Sequence, residues 1–164
     1  MNALLQSMPD RPCVMCGIPL DAQYFDASGF IDLRGKSGEF RAIVLADFEL
    51  PPQYCGVLQY FFQFSDALAA DPARIFTPDL EWNIRVNGHP LHPYLGFRHI
   101  INPWGSPCCP VAIRLDEGAR LEFAVRRVPD DTHLGPDKTL APVHRVGARL
   151  VGRYWYNSAY GTVA

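Results

Sequence analysis

Lysine is nearly missing from this chain. Of its fifteen basic residues only Lys36 and Lys138 are Lys, and the rest are Arg. Long apolar runs are missing too. A membrane helix needs about 18 uninterrupted apolar residues, whereas the longest apolar-rich run, residues 57–64, is broken by Gln59 and Gln63. No basic segment precedes the short apolar piece in MNALLQSMPDRP, so no secretory signal is expected. A large surplus of positive charge is absent as well. The net charge is −2 and the pI about 6.2, which argues against direct nucleic-acid binding. The sequence carries no G-x-S-x-G, no Walker loop, no H-E-x-x-H and no G-x-G-x-x-G after a strand. Nor is there an internal repeat at 20–50 residues or a low-complexity linker.

The 164 residues allow one domain, with room for a small appendage. Hydrophobic residues make up 48%, enough for a core and too many for a disordered chain. Aromatic residues at 12%, with 15 Pro and 13 Gly, favour short strands and many turns over long helices. Charge is unevenly spread. Residues 1–84 hold five basic against eleven acidic residues, and residues 85–164 hold ten against six. Such opposite halves could orient docking copies or partners, and the planar Arg fork suits fixed interface contacts. A codon bias towards Arg is the plain alternative.

Residues 1–38 read as an irregular arm, with Pro9, Pro12, Pro19 and the stretch DASGFIDLRGKSGE. Only residues 30–33 suggest a strand there. From residue 39 the hydrophobic period becomes two, which marks half-buried strands. In EFRAIVLADFEL the alternation puts Phe40, Ala42, Val44, Ala46, Phe48 and Leu50 on one face. In CGVLQYFFQFSD it puts Leu58, Tyr60, Phe62 and Phe64 together. In EWNIRV it aligns Trp82, Ile84 and Val86 as core, and Asn87-Gly88 then supplies a tight turn into a short or edge return. A further strand is expected over 97–101. PVAIRL and LEFAVRRV flank Asp116-Glu117-Gly118 and read as a hairpin. The last strand, HRVGARLVGRYWYN, sets Val146, Ala148, Leu150, Gly152 and Tyr154 against Arg149, Val151, Arg153 and Trp155. About eight strands with frequent turns predict an all-β, antiparallel β-sandwich of the jelly-roll type over 39–164.

Three constellations bear on function. The first is Cys13-Val-Met-Cys16-Gly with Cys108-Cys109, a candidate structural zinc site pinning the arm to the sandwich, with His89 and His92 as alternative ligands. Reduced thiols are the plain reading, and Cys55 is the odd one of five. The second is a Cys–His nucleophile, Cys55 or Cys108 with His99 or His144, which chance alone could supply. The third is a set of rings, Trp82, Trp104, Tyr154, Trp155, Tyr156 and Tyr160, that could stack on sugars; Trp82 is in phase with the core, however. Trp155 and Tyr156, beside Arg149 and Arg153 and joined by Arg126 and Arg127, are the residue types that anchor protein interfaces.

Three segments, ELPPQYCGVLQYFFQFSD at 49–66, EWNIRVNGHPL at 81–91 and GRYWYN at 152–157, cover about a fifth of the chain. Together they resemble small structural proteins of tailed bacteriophages: a proline-led turn, a G-V-L strand, an aspartate-marked loop, then W-x-I-x-V-N-G. The resemblance implies a non-enzymatic jelly roll or related sandwich attached to a virion as a decoration, cement or tail-accessory protein, made in the host cytoplasm. It implies other virion proteins as partners, the major capsid protein among them, and a homo-oligomer with a trimer as one option. No membrane partner is expected. Two other classes stay open: a carbohydrate- or receptor-binding sandwich, and a small zinc or thiol enzyme.

Overall fold

A computed structural model describes residues 18–33, 41–66, 80–98, 109–127 and 145–157. Eight strands run through them: β1 Gln23–Asp32, β2 Ile43–Glu49, β3 Tyr54–Ser65, β4 Leu80–Val86, β5 His89–Pro90, β6 Cys109–Leu115, β7 Arg120–Arg127 and β8 Arg145–Tyr156. They form two antiparallel four-stranded sheets, ordered β1-β8-β3-β6 and β2-β7-β4-β5. The all-β, antiparallel architecture expected from the period-two pattern is therefore present.

The two sheets bury their facing sides against each other. One contributes Phe25, Leu58, Phe61, Leu115, Val146 and Leu150, and the other Leu45, Trp82, Ile84, Leu121, Phe123 and Val125. Rings interlock across this layer. Phe61 and Phe123 meet edge to face at 5.6 Å, Trp82 meets Phe123 at 5.8 Å, and Phe25 lies flat on Phe48 at 4.2 Å. These offset and edge-on geometries are the ones a ring quadrupole favours. Asn83 and Ser65 are the polar residues buried among those described, and Asn83 Oδ1 accepts the Gly96 N–H at 2.9 Å.

Four expectations need correction. The stretch 1–38 is not wholly irregular, because β1 occupies Gln23–Asp32 and pairs along its full length with β8. Its Gly and Ser look like loop signals, yet Ser28 lies on the exposed side of the strand. Gly29 meets the Leu45 carbonyl so closely that no side chain would fit. Residues 1–17 and 34–40 lie outside the described residues.

The second correction concerns the strands flanking Asp116-Glu117-Gly118. Both exist, but they belong to opposite sheets and do not pair. The turn, closed by the Ala119 N–H donating to the Asp116 carbonyl at 3.0 Å, carries the chain around a corner. Alternation reports that a segment is a strand with one buried side. It does not report its neighbour.

The third is the phase of β2 and β3. Each contains a β-bulge, between Val44 and Ala46 and between Leu58 and Tyr60. One extra residue reverses which side chains point inward. Leu45 is thus buried while Val44 is exposed. In β3, Leu58 and Phe61 are buried, while Tyr60 and Phe64 are exposed. Fourth, Phe97 makes only an isolated bridge to Trp82, and residues 99–101 lie outside the described residues. The short return after Asn87-Gly88 is present as β5, at the edge of its sheet.

Candidate functional site

The bulge in β3 builds the most distinctive surface of the described molecule. Pairing register places Tyr24, Asp26, Ser28, Phe30 and Asp32 of β1 on the outer face of the first sheet. Arg145, Gly147, Arg149, Val151, Arg153 and Trp155 of β8 lie beside them, followed by Cys55, Val57, Tyr60, Phe62 and Phe64 of β3. Ala112 and Arg114 of β6 complete the face. Large rings are left in water here: Phe30 is 72% exposed, Tyr24 65%, Tyr60 40% and Phe64 39%.

Cross-strand contacts organise these side chains. Phe30 and Phe64 flank Gly147 in register and meet edge to face at 5.7 Å. A Cβ on Gly147 would strike the Phe30 ring, so the glycine is the seat on which that ring rests. Arg149 grips Asp26 in a two-pronged pair, its Nε donating to Asp26 Oδ1 at 2.7 Å, and also lies 5.3 Å from the Phe62 ring centre. Arg153 stacks on Tyr24 at 4.4 Å and donates to its hydroxyl. Arg145 lies 3.6 Å from Asp32, and Arg114 2.9 Å from Asp116. Arg over a ring gains cation–π attraction and covers apolar carbon with its stem.

The hydrogen bond from Arg149 holds the Asp26 carboxyl below the usual carboxylate range, outweighing the opposing effect of burial and aided by the Arg149 charge. The folded state therefore binds fewer protons at this site than the unfolded chain. The resulting stability is present above the unfolded carboxylate value, near pH 4, and fades as pH falls through the lower folded one. Asp26→Asn should thus open a small stability gap at pH 7 that narrows as pH falls below about 4 and also narrows in high salt. Chemical denaturation of both proteins across pH checks it; a gap unchanged at pH 2 would disprove the linkage.

The outer face of the second sheet is different in kind. It is laced with ion pairs: Arg126 to Glu81 at 2.7 Å, Arg120 to Glu122 at 3.2 Å and Arg120 to Asp47 at 3.5 Å. The sequence-derived interface set therefore splits. Arg149, Arg153 and Trp155 share the aromatic face. Arg126 sits on the opposite sheet in its pair with Glu81, and Arg127 ends β7 across from Leu80. Tyr156 ends β8, half exposed, its ring 5.9 Å from Tyr54. Sequence reading missed Tyr24, Phe30, Tyr60, Phe62 and Phe64 as surface residues. Of the proposed sugar platform, Trp82 is fully buried, while Trp104 and Tyr160 lie outside the described residues.

Cys13, Cys16 and Cys108, three of the four candidate zinc ligands, also lie outside the described residues; Cys109 opens β6 opposite Phe61. Among the described residues no three His, Cys, Asp or Glu gather closely enough to hold a metal ion. Cys55 is free and half-buried beside Trp155, and burial pushes its thiol up, away from the thiolate form that attacks electrophiles. His99 and His144 are outside the described residues. No helix among those described is long and apolar enough to cross a membrane. No protein-family model matches the chain, and no curated protein matches its sequence.

Proposed function

We propose that the chain is a non-enzymatic jelly-roll protein of a tailed-phage particle, bound to neighbouring capsid or tail subunits as a decoration or cement protein. The strand order supports the jelly roll, since β1-β8-β3-β6 against β2-β7-β4-β5 is what two nested Greek keys produce from eight strands. That architecture recurs in viral capsid and lectin domains. The observation carrying the functional reading is the aromatic and arginine-rich outer face of the first sheet. Exposed rings beside Arg, without Lys, make up the composition that protein interfaces concentrate. The chemistry at this face is association. Its rings exclude water, its guanidinium groups orient the partner, and many weak contacts on a repeating lattice add up. In this reading the residues ahead of β1 add contact to a neighbouring subunit.

The test is incorporation. In cells producing the particles, a tagged full-length chain should band with them in a density gradient. Tyr60→Asp with Phe62→Asp should shift most of it to the soluble fractions at unchanged circular dichroism. A wild-type chain that stays soluble throughout overturns the proposal.

A further inference from the structure

The same face carries a bump and a hollow, and their placement bears on what covers it. The bump is the Phe30–Phe64 ring pair over Gly147. Hollows flank the ring pair itself, towards Asp26 and Arg149 and towards Asp32 and Arg145; the hollow at the other end of the strands is lined by Ile18, Val57, Tyr60, Ala112, Arg114 and Trp155. Along β8 the two are marked by Gly147 and Trp155, with Val151 midway and facing outward. Eight residues at ~3.3 Å separate them by about 26 Å. A face that holds both a bump and a hollow can match itself under a two-fold rotation, because each of two facing copies then offers its bump to the other's hollow.

Charge agrees with this. Four guanidinium groups on the face, of Arg114, Arg145, Arg149 and Arg153, are met by three carboxylates, of Asp116, Asp32 and Asp26. The fourth, Arg153, rests on the Tyr24 ring. The face is nearly neutral within itself. It needs no anionic partner, and a second identical face would not repel it strongly. Size agrees too. Four strands ~4.8 Å apart and about ten residues long present roughly 600 Å². Two stacked copies would bury about 1,200 Å², the lower end for a specific complex.

We infer that a second copy of this chain docks on the outer face of the β1-β8-β3-β6 sheet, forming a two-fold dimer in which the Phe30–Phe64 pair of each copy fills the Val57–Trp155 hollow of the other. This deepens the proposed function by naming one neighbour, and rests on that reading only in taking the face as an association surface.

Sedimentation velocity on the full-length chain across the micromolar range tests it. The wild type should dimerise. Phe30→Glu, at the bump, and Val57→Arg, at the hollow, should each weaken the dimer at least tenfold, with melting temperatures close to wild type. Arg85→Ala, on the second sheet, should leave it unchanged. Three results overturn the inference: a wild-type monomer, a trimer, or a dimer indifferent to both face substitutions. A wild-type monomer that still bands with particles through Tyr60 and Phe62 would end the self-association claim and leave the assembly reading standing, its face occupied by another particle protein.

Discussion

Trp82→Ala should cost about 3–5 kcal/mol of stability. A small domain has only roughly 5–15 kcal/mol in total, so the variant should be at or near the limit of folding. The size of the effect follows from position. Trp82 is the largest side chain with no exposed surface, and its ring abuts Phe123, which in turn packs on Phe61 of the other sheet. Truncation leaves a cavity at the junction of both sheets, walled by strands that cannot collapse because their ladders hold them apart. The Trp82 backbone is fixed as well, donating to the Phe97 carbonyl at 2.9 Å and accepting from its N–H at 3.1 Å. Scanning calorimetry should show the melting point lower by roughly 10–15 °C. Trp82→Phe, which keeps a ring against Phe123, should lose less than half as much. A loss under 1 kcal/mol for the alanine variant would mean that Trp82 does not sit at this junction.

The second large effect is expected from the smallest change. Gly29→Ala adds one methyl group, yet it should destabilise by about 3 kcal/mol or more, the upper range for overpacking. The Cβ would run into the Leu45 carbonyl oxygen. Leu45 is the bulged residue of β2, where the ladder to β7 skips a step. The oxygen is backbone, held by its own strand, and cannot swing aside as a side chain can. Gly29 is in turn locked opposite Ala148 in β8. Gly88→Ala makes the contrast. That glycine has φ +77° with open space around it, so its substitution should cost only the left-handed backbone penalty, about 1–2 kcal/mol. Equilibrium urea unfolding of the two variants tests the ranking. Equal losses would show that the approach of β1 to the β2 bulge is looser than described.

How much of this was legible beforehand can be argued strand by strand. Trp82, Ile84 and Val86 alternate cleanly, and the inner set of β8, Val146 through Leu150, does so too; both patterns match the burial. The all-β class followed from many such segments. The two bulges were not legible, because an extra residue leaves no mark on composition and only shifts phase. In β3 the pattern even pointed the other way, since Phe61 falls in step with Gln59 and Gln63, yet Phe61 and Ser65 are the buried residues. The corner at Asp116-Glu117-Gly118 looked like a hairpin because the same turn chemistry serves both. Arg149, Arg153 and Trp155 were found because they break an apolar alternation with large interface-type side chains. Tyr60, Phe62 and Phe64 were grouped on one face with Leu58, which is buried, because hydrophobicity alone cannot say which side of a sheet is dry.

The extra residue near Gln59 therefore decides which rings meet water. Unbroken alternation of the same sequence from Leu58 would send Tyr60, Phe62 and Phe64 inward and turn Phe61, Gln63 and Ser65 outward; the bulge absorbs one residue and reverses that assignment. The character of this exterior is thus set less by which amino acids the strand holds than by a one-residue frame offset.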